Sequence, residues 1–164
     1  MDADFSHNPK DLIRLSDACE LEGYDVAVGS RYVSGGGVEN WSFDRRFLSY
    51  GASLYTRAIT WMNIKDPTAG FKCYKRVVLE SIKLDSIKFV GYAFQIEMKY
   101  NAWKLGFKIK EVPIIFVDRQ EGVSKMSTNI IGEAIMGVIS LRLSKIENAK
   151  KGIRAKRSLK SKMS

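Results

Sequence analysis

The chain has 164 residues, about one domain's worth, with 45% hydrophobic and 27% charged residues, a composition that excludes a disordered or fibrous protein. Its net charge is +9, but residues 145–164 hold eight lysines and arginines against one acid, Glu147, so the rest carries only about +2 and a nucleic-acid-binding body is excluded. Met1-Asp2-Ala3-Asp4 opens acidic and predicts no secretory leader, and no run of about 18 apolar residues predicts a membrane span.

Asn8-Pro9 predicts a helix start, with Asn8 as cap, Pro9 in the first turn, and Leu12, Leu15, Ala18, Cys19 and Leu21 on one side up to Gly23. Tyr24 to Arg31 reads as a buried strand and Val33 to Asn40 as a mobile glycine-rich loop. Between Asp44 and Met62, Phe47, Gly51, Leu54, Tyr55, Ala58, Ile59 and Met62 recur at helical spacing. Asp66 to Gly70 is a turn leading into a short strand, Phe71 to Tyr74. Tyr92 to Trp103 predicts a helix closed by Gly106, and Lys108 to Val117 a strand whose Pro113 favours an edge or a bulge. A last helix is predicted from Thr128 to Ile146, with Ile131, Ala134, Ile135, Val138 and Leu141 as its stripe. The alternation of helix and strand implies an α/β domain over residues 1–149, followed by a basic, disordered or membrane-surface tail over 150–164.

Cys19 and Cys73 are far apart in the chain, with no CxxC or Cys/His ligand spacing. Free thiols in a reducing compartment, the cytoplasm, are expected rather than a structural zinc site. Asp2 and Asp4, one residue apart, have the oxygen chemistry to hold Mg²⁺ or Mn²⁺, although such a pair is more often solvated surface. Arg31 ends a strand, where ligands collect in open α/β sheets and a guanidinium suits phosphate; the plainer reading is a surface ion pair. Arg45-Arg46 is either a second phosphate contact or the charged start of a helix. Arg119 and Lys125 flank Gly122 on one short loop and can wrap an anion. Glu97 sits mid-helix among apolar neighbours, as a core-edge acid or a site carboxylate, and His7 reads as a turn or cap residue rather than a base.

In order, MDADFSH, GSRYVSGGG with ENW and RR, DPTAGFKCYKR, GYAFQIEM and KIKEVPIIFVDRQEGVSKM resemble the polyprenyl-phosphate (dolichyl-phosphate) mannosyltransferase branch of the family 2 glycosyltransferases, from Met1 to about Ala134. The resemblance implies the C-terminal part of a GT-A fold without the first strands of its sheet. It implies a GDP-mannose donor, a Mg²⁺ or Mn²⁺ ion, and a polyprenyl or dolichyl phosphate acceptor at the cytoplasmic face of a membrane, where the chain is peripheral. Carried over by position, Asp2, Ala3 and Asp4 match the metal and donor motif. Arg31 matches an arginine near donor and metal, Arg119 and Lys125 a phosphate-gripping pair, and Asp66 and Glu97 recurrent site acids; Arg46 is an expected substrate contact. The implied reaction is a single inverting displacement at the sugar C1. The metal motif stands at the first residues, so the nucleotide-binding strands that precede it in the family are expected to be missing and the chain to fold poorly or be inactive alone. Glucosyl or other glycosyl transfer to undecaprenyl phosphate is the alternative within enzymes. A non-catalytic membrane- or partner-binding remnant is the alternative outside them.

Overall fold

A computed structural model describes residues 6–82, 84–118 and 128–143. Helix α1 (Asp11–Glu20) is followed by β1 (Val26–Ser30), β2 (Gly37–Glu39), α2 (Phe43–Thr60), β3 (Lys72–Tyr74), α3 (Arg76–Ser81), a short 3-10 turn at Leu84–Ser86, α4 (Gly91–Lys104), β4 (Ile109–Pro113), β5 (Ile115–Val117) and α5 (Thr128–Leu143). Strand β1 is buried along its whole length and forms the centre of a β3-β1-β4 sheet, antiparallel to β3 and parallel to β4. A buried strand with neighbours on both sides needs no polar face, so it reads as the apolar run VAVGS.

Alternation along β1 divides the core. Val26 and Val28 pack with Val78, Met98, Ala102 and Leu105 on the α3/α4 side, and Ala27 packs with Leu15, Ala18 and Cys19 of α1. A third cluster joins Met62, Ile64, Ile96 and Tyr100 to Val138 and Leu141 of α5.

Several expectations are corrected. Asn8 accepts from the Lys10 amide at 3.0 Å in a turn, and α1 proper starts three residues later, at Asp11. The glycine-rich segment expected as a loop contains β2, which pairs in parallel with β5. The strand expected over Lys108 to Val117 divides at Ile114, sending β4 to the main sheet and β5 to β2. Helix α3 and the 3-10 turn had no periodic signal long enough to find. The stripe predicted on α2 is only partly its buried side: Met62, just past the helix, is buried and Tyr55 and Ile59 pack against the third cluster, but Phe47 is 72% exposed. The buried helix positions are Ser53, Thr56 and Thr60, with their hydroxyls bonded to carbonyls one turn back. On α5, Val138 and Leu141 are buried and Ile135 is exposed; the side chains of Ile131 and Ala134, and residues 144–146, lie outside those described. Among the described residues no helix is long and apolar enough to cross a membrane.

Candidate active site

The chain leaves the buried end of β1 at Ser30 and turns sharply. A Cβ on Gly36 would stand 2.5 Å from the Ser30 carbonyl oxygen, so only glycine lets the returning loop lie against the strand end. Gly37 N then donates to the Ile114 carbonyl at 3.0 Å, and Ile114 N to the Ser30 carbonyl at 3.1 Å. These bonds fix Arg31 at the C-terminal edge of the parallel pair, where crevices form in open α/β sheets.

Arg31 and Asp66 are the first expected residues brought together. Nε and Nη2 of Arg31 each donate to one Asp66 oxygen at 2.7 Å, and the Arg31 amide adds a third bond at 3.0 Å. Nη2 also donates to Thr68 Oγ1 at 2.8 Å. The pair is nearly dry, with side-chain exposures of 9% and 0%. Burial alone would raise the Asp66 carboxyl, but the hydrogen bonds and charge of Arg31 outweigh it and hold the group below the usual carboxylate range. For Arg31 burial opposes the charge and Asp66 restores it, so the guanidinium stays protonated.

The turn that carries Asp66 is held from two directions. Glu111 of β4 accepts from the Lys65 amide at 2.8 Å and the Asp66 amide at 2.9 Å. Lys99 of α4, fully buried, donates to the carbonyls of Pro67, Ala69 and Gln95 at 2.9, 2.7 and 3.1 Å. Burial, then the charge of Lys72, lowers the Lys99 ammonium well below its ordinary pKa; three carbonyl acceptors match its three protons. Neither Glu111 nor Lys99 had a motif signal. Each acts on backbone, which any sequence supplies.

Aromatic rings connect Arg31 to the glycine segment. Its guanidinium lies 5.2 Å from the Tyr32 ring centroid and 5.4 Å from that of Trp41, while Arg45 lies 4.4 Å from Trp41 and pairs with Asp118 at 2.5 Å. His7 is buried between Phe71 and Phe116, with ring centroids 4.8 and 5.0 Å away, rather than serving as a surface turn or cap. Arg31, Arg45, Trp41, Thr68 and His7, grouped by these contacts, line a cleft of about 540 Å³. Its other walls are Leu48, Ala52 and Tyr55 of α2, Tyr92, Gln95 and Ile96 of α4, and Ile135 and Val138 of α5. The lining is thus mostly apolar, with two arginines, Arg31 and Arg45, each paired with a carboxylate.

Of the remaining expected residues, Arg46 bonds the Val38 carbonyl at 3.2 Å and lines a shallower groove beside the cleft, leaving Arg45 as the member of the pair that faces the cleft. Glu97 is buried away from the cleft lining and accepts from the amides of Lys88 and Phe89 at 3.0 and 3.1 Å, bracing the segment before α4. Asp2, Ala3, Asp4, Arg119 and Lys125 lie outside the described residues, as does the basic tail. Among the described residues no three His, Cys, Asp or Glu side chains are grouped to hold a metal ion. Asp66, the carboxylate behind Arg31, is already committed to that guanidinium.

An α/β sheet with parallel strands ending at a cleft, closed by a buried arginine–carboxylate pair, is the architecture of a partial GT-A domain. The family model described as glycosyl transferase family 2 matches residues 1–83, and the chain belongs to that family. It is 49% identical over 138 residues to the polyprenol monophosphomannose synthase of Mycolicibacterium smegmatis, covering 84% of this chain and 52% of that protein. It is 45% identical over 138 residues to the undecaprenyl-phosphate mannosyltransferase of Micrococcus luteus, covering 84% of this chain and 56% of the relative. The chain therefore spans about half the length of the curated relatives it matches.

Proposed function

We propose that this polypeptide belongs to an enzyme that transfers mannose from GDP-mannose to a polyprenyl or dolichyl phosphate, and that the cleft receives the lipid phosphate. The observation that carries this reading is the division of the cleft lining between many apolar residues and the arginines Arg31 and Arg45. A prenyl chain ending in a phosphate has the same division, and the identity to two lipid-phosphate mannosyltransferases supports the choice of ligand. Two of the three Arg31 donor nitrogens face Asp66 and Thr68, so the pair orients the guanidinium and leaves its Nη1 edge for a phosphate oxygen.

A phosphate monoester is largely dianionic at neutral pH, since its second pKa is about 6. Its oxygen is already a nucleophile and needs no strong general base. This suits a cleft whose charged lining is arginine and whose histidine is packed between aromatic rings. Attack at the sugar C1 as GDP departs inverts that centre. The residues then act by positioning and by neutralising phosphate charge. Asp2 and Asp4 offer the hard oxygen donors that suit Mg²⁺ or Mn²⁺, which would supply charge neutralisation to the departing diphosphate. Arg119 and Lys125 are the further phosphate contacts in this reading, with Arg46 nearby. For Glu97, the two amides it holds favour a structural part over a chemical one.

The enzyme works as a peripheral protein on the cytoplasmic face of a membrane. The outward apolar side of α2, with Phe43, Phe47, Tyr50 and Leu54 exposed, supports contact with lipid, as does the basic tail.

The test is mannosyl transfer by the polypeptide isolated from its native source. Radiolabelled GDP-mannose, undecaprenyl phosphate and Mn²⁺ should yield an acid-labile mannosyl lipid. Transfer should be lost with chelator and fall at least about 100-fold with Arg31→Met, since that removes a preorganised charge contact. Preference for UDP-glucose would assign the alternative sugar, and transfer insensitive to Arg31→Met would remove the cleft from the reaction.

A further inference from the structure

Cys19 and Cys73, separated by the whole α2 region in sequence, meet in space. Cys73 stands opposite Ala27 in the antiparallel β3–β1 ladder. Strand alternation therefore puts its side chain on the Ala27 face, the face covered by α1. Cys73 packs against the cluster that contains Leu15, Ala18, Cys19 and Ala27. The Cys19 sulfur lies 4.0 Å from the Cys73 carbonyl oxygen, and the two thiols are close enough to perturb each other. Both are free; Cys19 is fully buried and Cys73 half-buried.

We propose that Cys19 and Cys73 form a dithiol modification site, which a peroxide or a small-molecule disulfide converts into an intramolecular bridge joining α1 to β3. Cys73 is the less buried of the two and reacts first. With peroxide, its thiolate takes one oxygen to become a sulfenic acid and the first water leaves. The Cys19 sulfur then attacks the sulfenic sulfur, the S–S bond forms, and the Cys19 proton leaves with the sulfenic hydroxyl as a second water. Two thiols lose two electrons and one peroxide gains them. Burial, with the neighbouring Cys73, pushes the Cys19 thiol up to about 11, so Cys19 is a poor first attacker, and it is its place beside Cys73 that fits it to resolve. The bridge would close a loop that contains β1, the glycine segment, α2 and the Asp66 turn, and therefore Arg31, Trp41 and Arg45 of the cleft.

The experiment needs no substrate and is independent of the transferase reading. The 164-residue chain is equilibrated with reduced and oxidised glutathione, once folded and once in urea, and the products are read by intact mass and non-reducing peptide mapping. The bridged form should be favoured at least about tenfold more in the folded chain, a difference of about 30 mV for this two-electron couple. It should migrate as a monomer and revert with dithiothreitol. In the Cys19→Ala chain, Cys73 should stop at a glutathione adduct. An equal or smaller preference for the bridge in the folded chain overturns the proposal. So does a wild-type product consisting only of Cys73 adducts or of cross-linked dimers.

Discussion

Replacing Asp66 by asparagine preserves the shape of the side chain and removes its charge. Both oxygens of Asp66 accept from Arg31, with two bonds of 2.7 Å to the guanidinium and one of 3.0 Å to the amide, and Thr68 Oγ1 lies 3.1 Å from Oδ1. An asparagine must turn an NH₂ toward one of these donors and leave the guanidinium, 9% exposed, without a counter-charge. Breaking a buried pair from one side costs about 3–5 kcal/mol, a large share of the roughly 5–15 kcal/mol that holds a domain together. Urea unfolding followed by far-ultraviolet circular dichroism measures the loss. The Asp66→Leu/Arg31→Met double variant should be more stable than Asp66→Asn, because no charge is stranded. Since the folded-state carboxyl is depressed, its contribution is present above the unfolded value of about 3.9 and disappears as pH falls through the lower folded value. In Asp66→Asn that acid-side loss should be smaller. A destabilisation below about 1 kcal/mol, the scale of an exposed ion pair, would refute the reasoning.

Three further outcomes follow from the same geometry. Gly36→Ala pushes a methyl against the Ser30 carbonyl and should cost about 1–3 kcal/mol, with faster amide exchange at Gly37 and Val38; unchanged exchange would show that the loop does not need the close approach. Burial lowers Lys72 from 10.5 to about 8, so between about pH 8 and 10.5 the unfolded chain binds more protons than the folded one and stability rises with pH. In Lys72→Met that rise should shrink by an amount of order 1–3 kcal/mol, read from chemical unfolding across the range; an unaltered slope counts against the buried ammonium. Glu97→Ala removes the acceptor for the Lys88 and Phe89 amides and should cost about 1–3 kcal/mol of stability. Transfer per folded molecule should change little, and a large loss of transfer with stability intact would return Glu97 to the chemistry.

Much of the architecture is present in local pattern. The run Val26 to Ser30, the helix near Asn8-Pro9, and the helical segments that became α4 and α5 rest on near neighbours in the chain, and they announce themselves without a fold. The motif order around GSRY, DPTAG and GYAFQIEM likewise marks the family, since it needs only residue identities and spacing. Periodicity on α2 says only that one face is apolar. It does not say which positions the domain covers most fully, and the fold buries Ser53, Thr56 and Thr60 while Phe47 and Leu54 stay exposed.

The sequence by itself therefore determined an α/β chain of glycosyltransferase family 2 and, among its expected site residues, Arg31 as one that lines the cleft. Tertiary structure alone decided how those residues are spent. It joined Arg31 to Asp66 and gave Glu111 and Lys99 the task of holding the turn between them. It selected Arg45 over Arg46 for the cleft, placed Glu97 on two backbone amides, and set Cys19 beside Cys73. The physical reason is common to all of these. A buried charge or thiol takes its properties from neighbours that the chain brings from tens of residues away, and no local pattern records who those neighbours are.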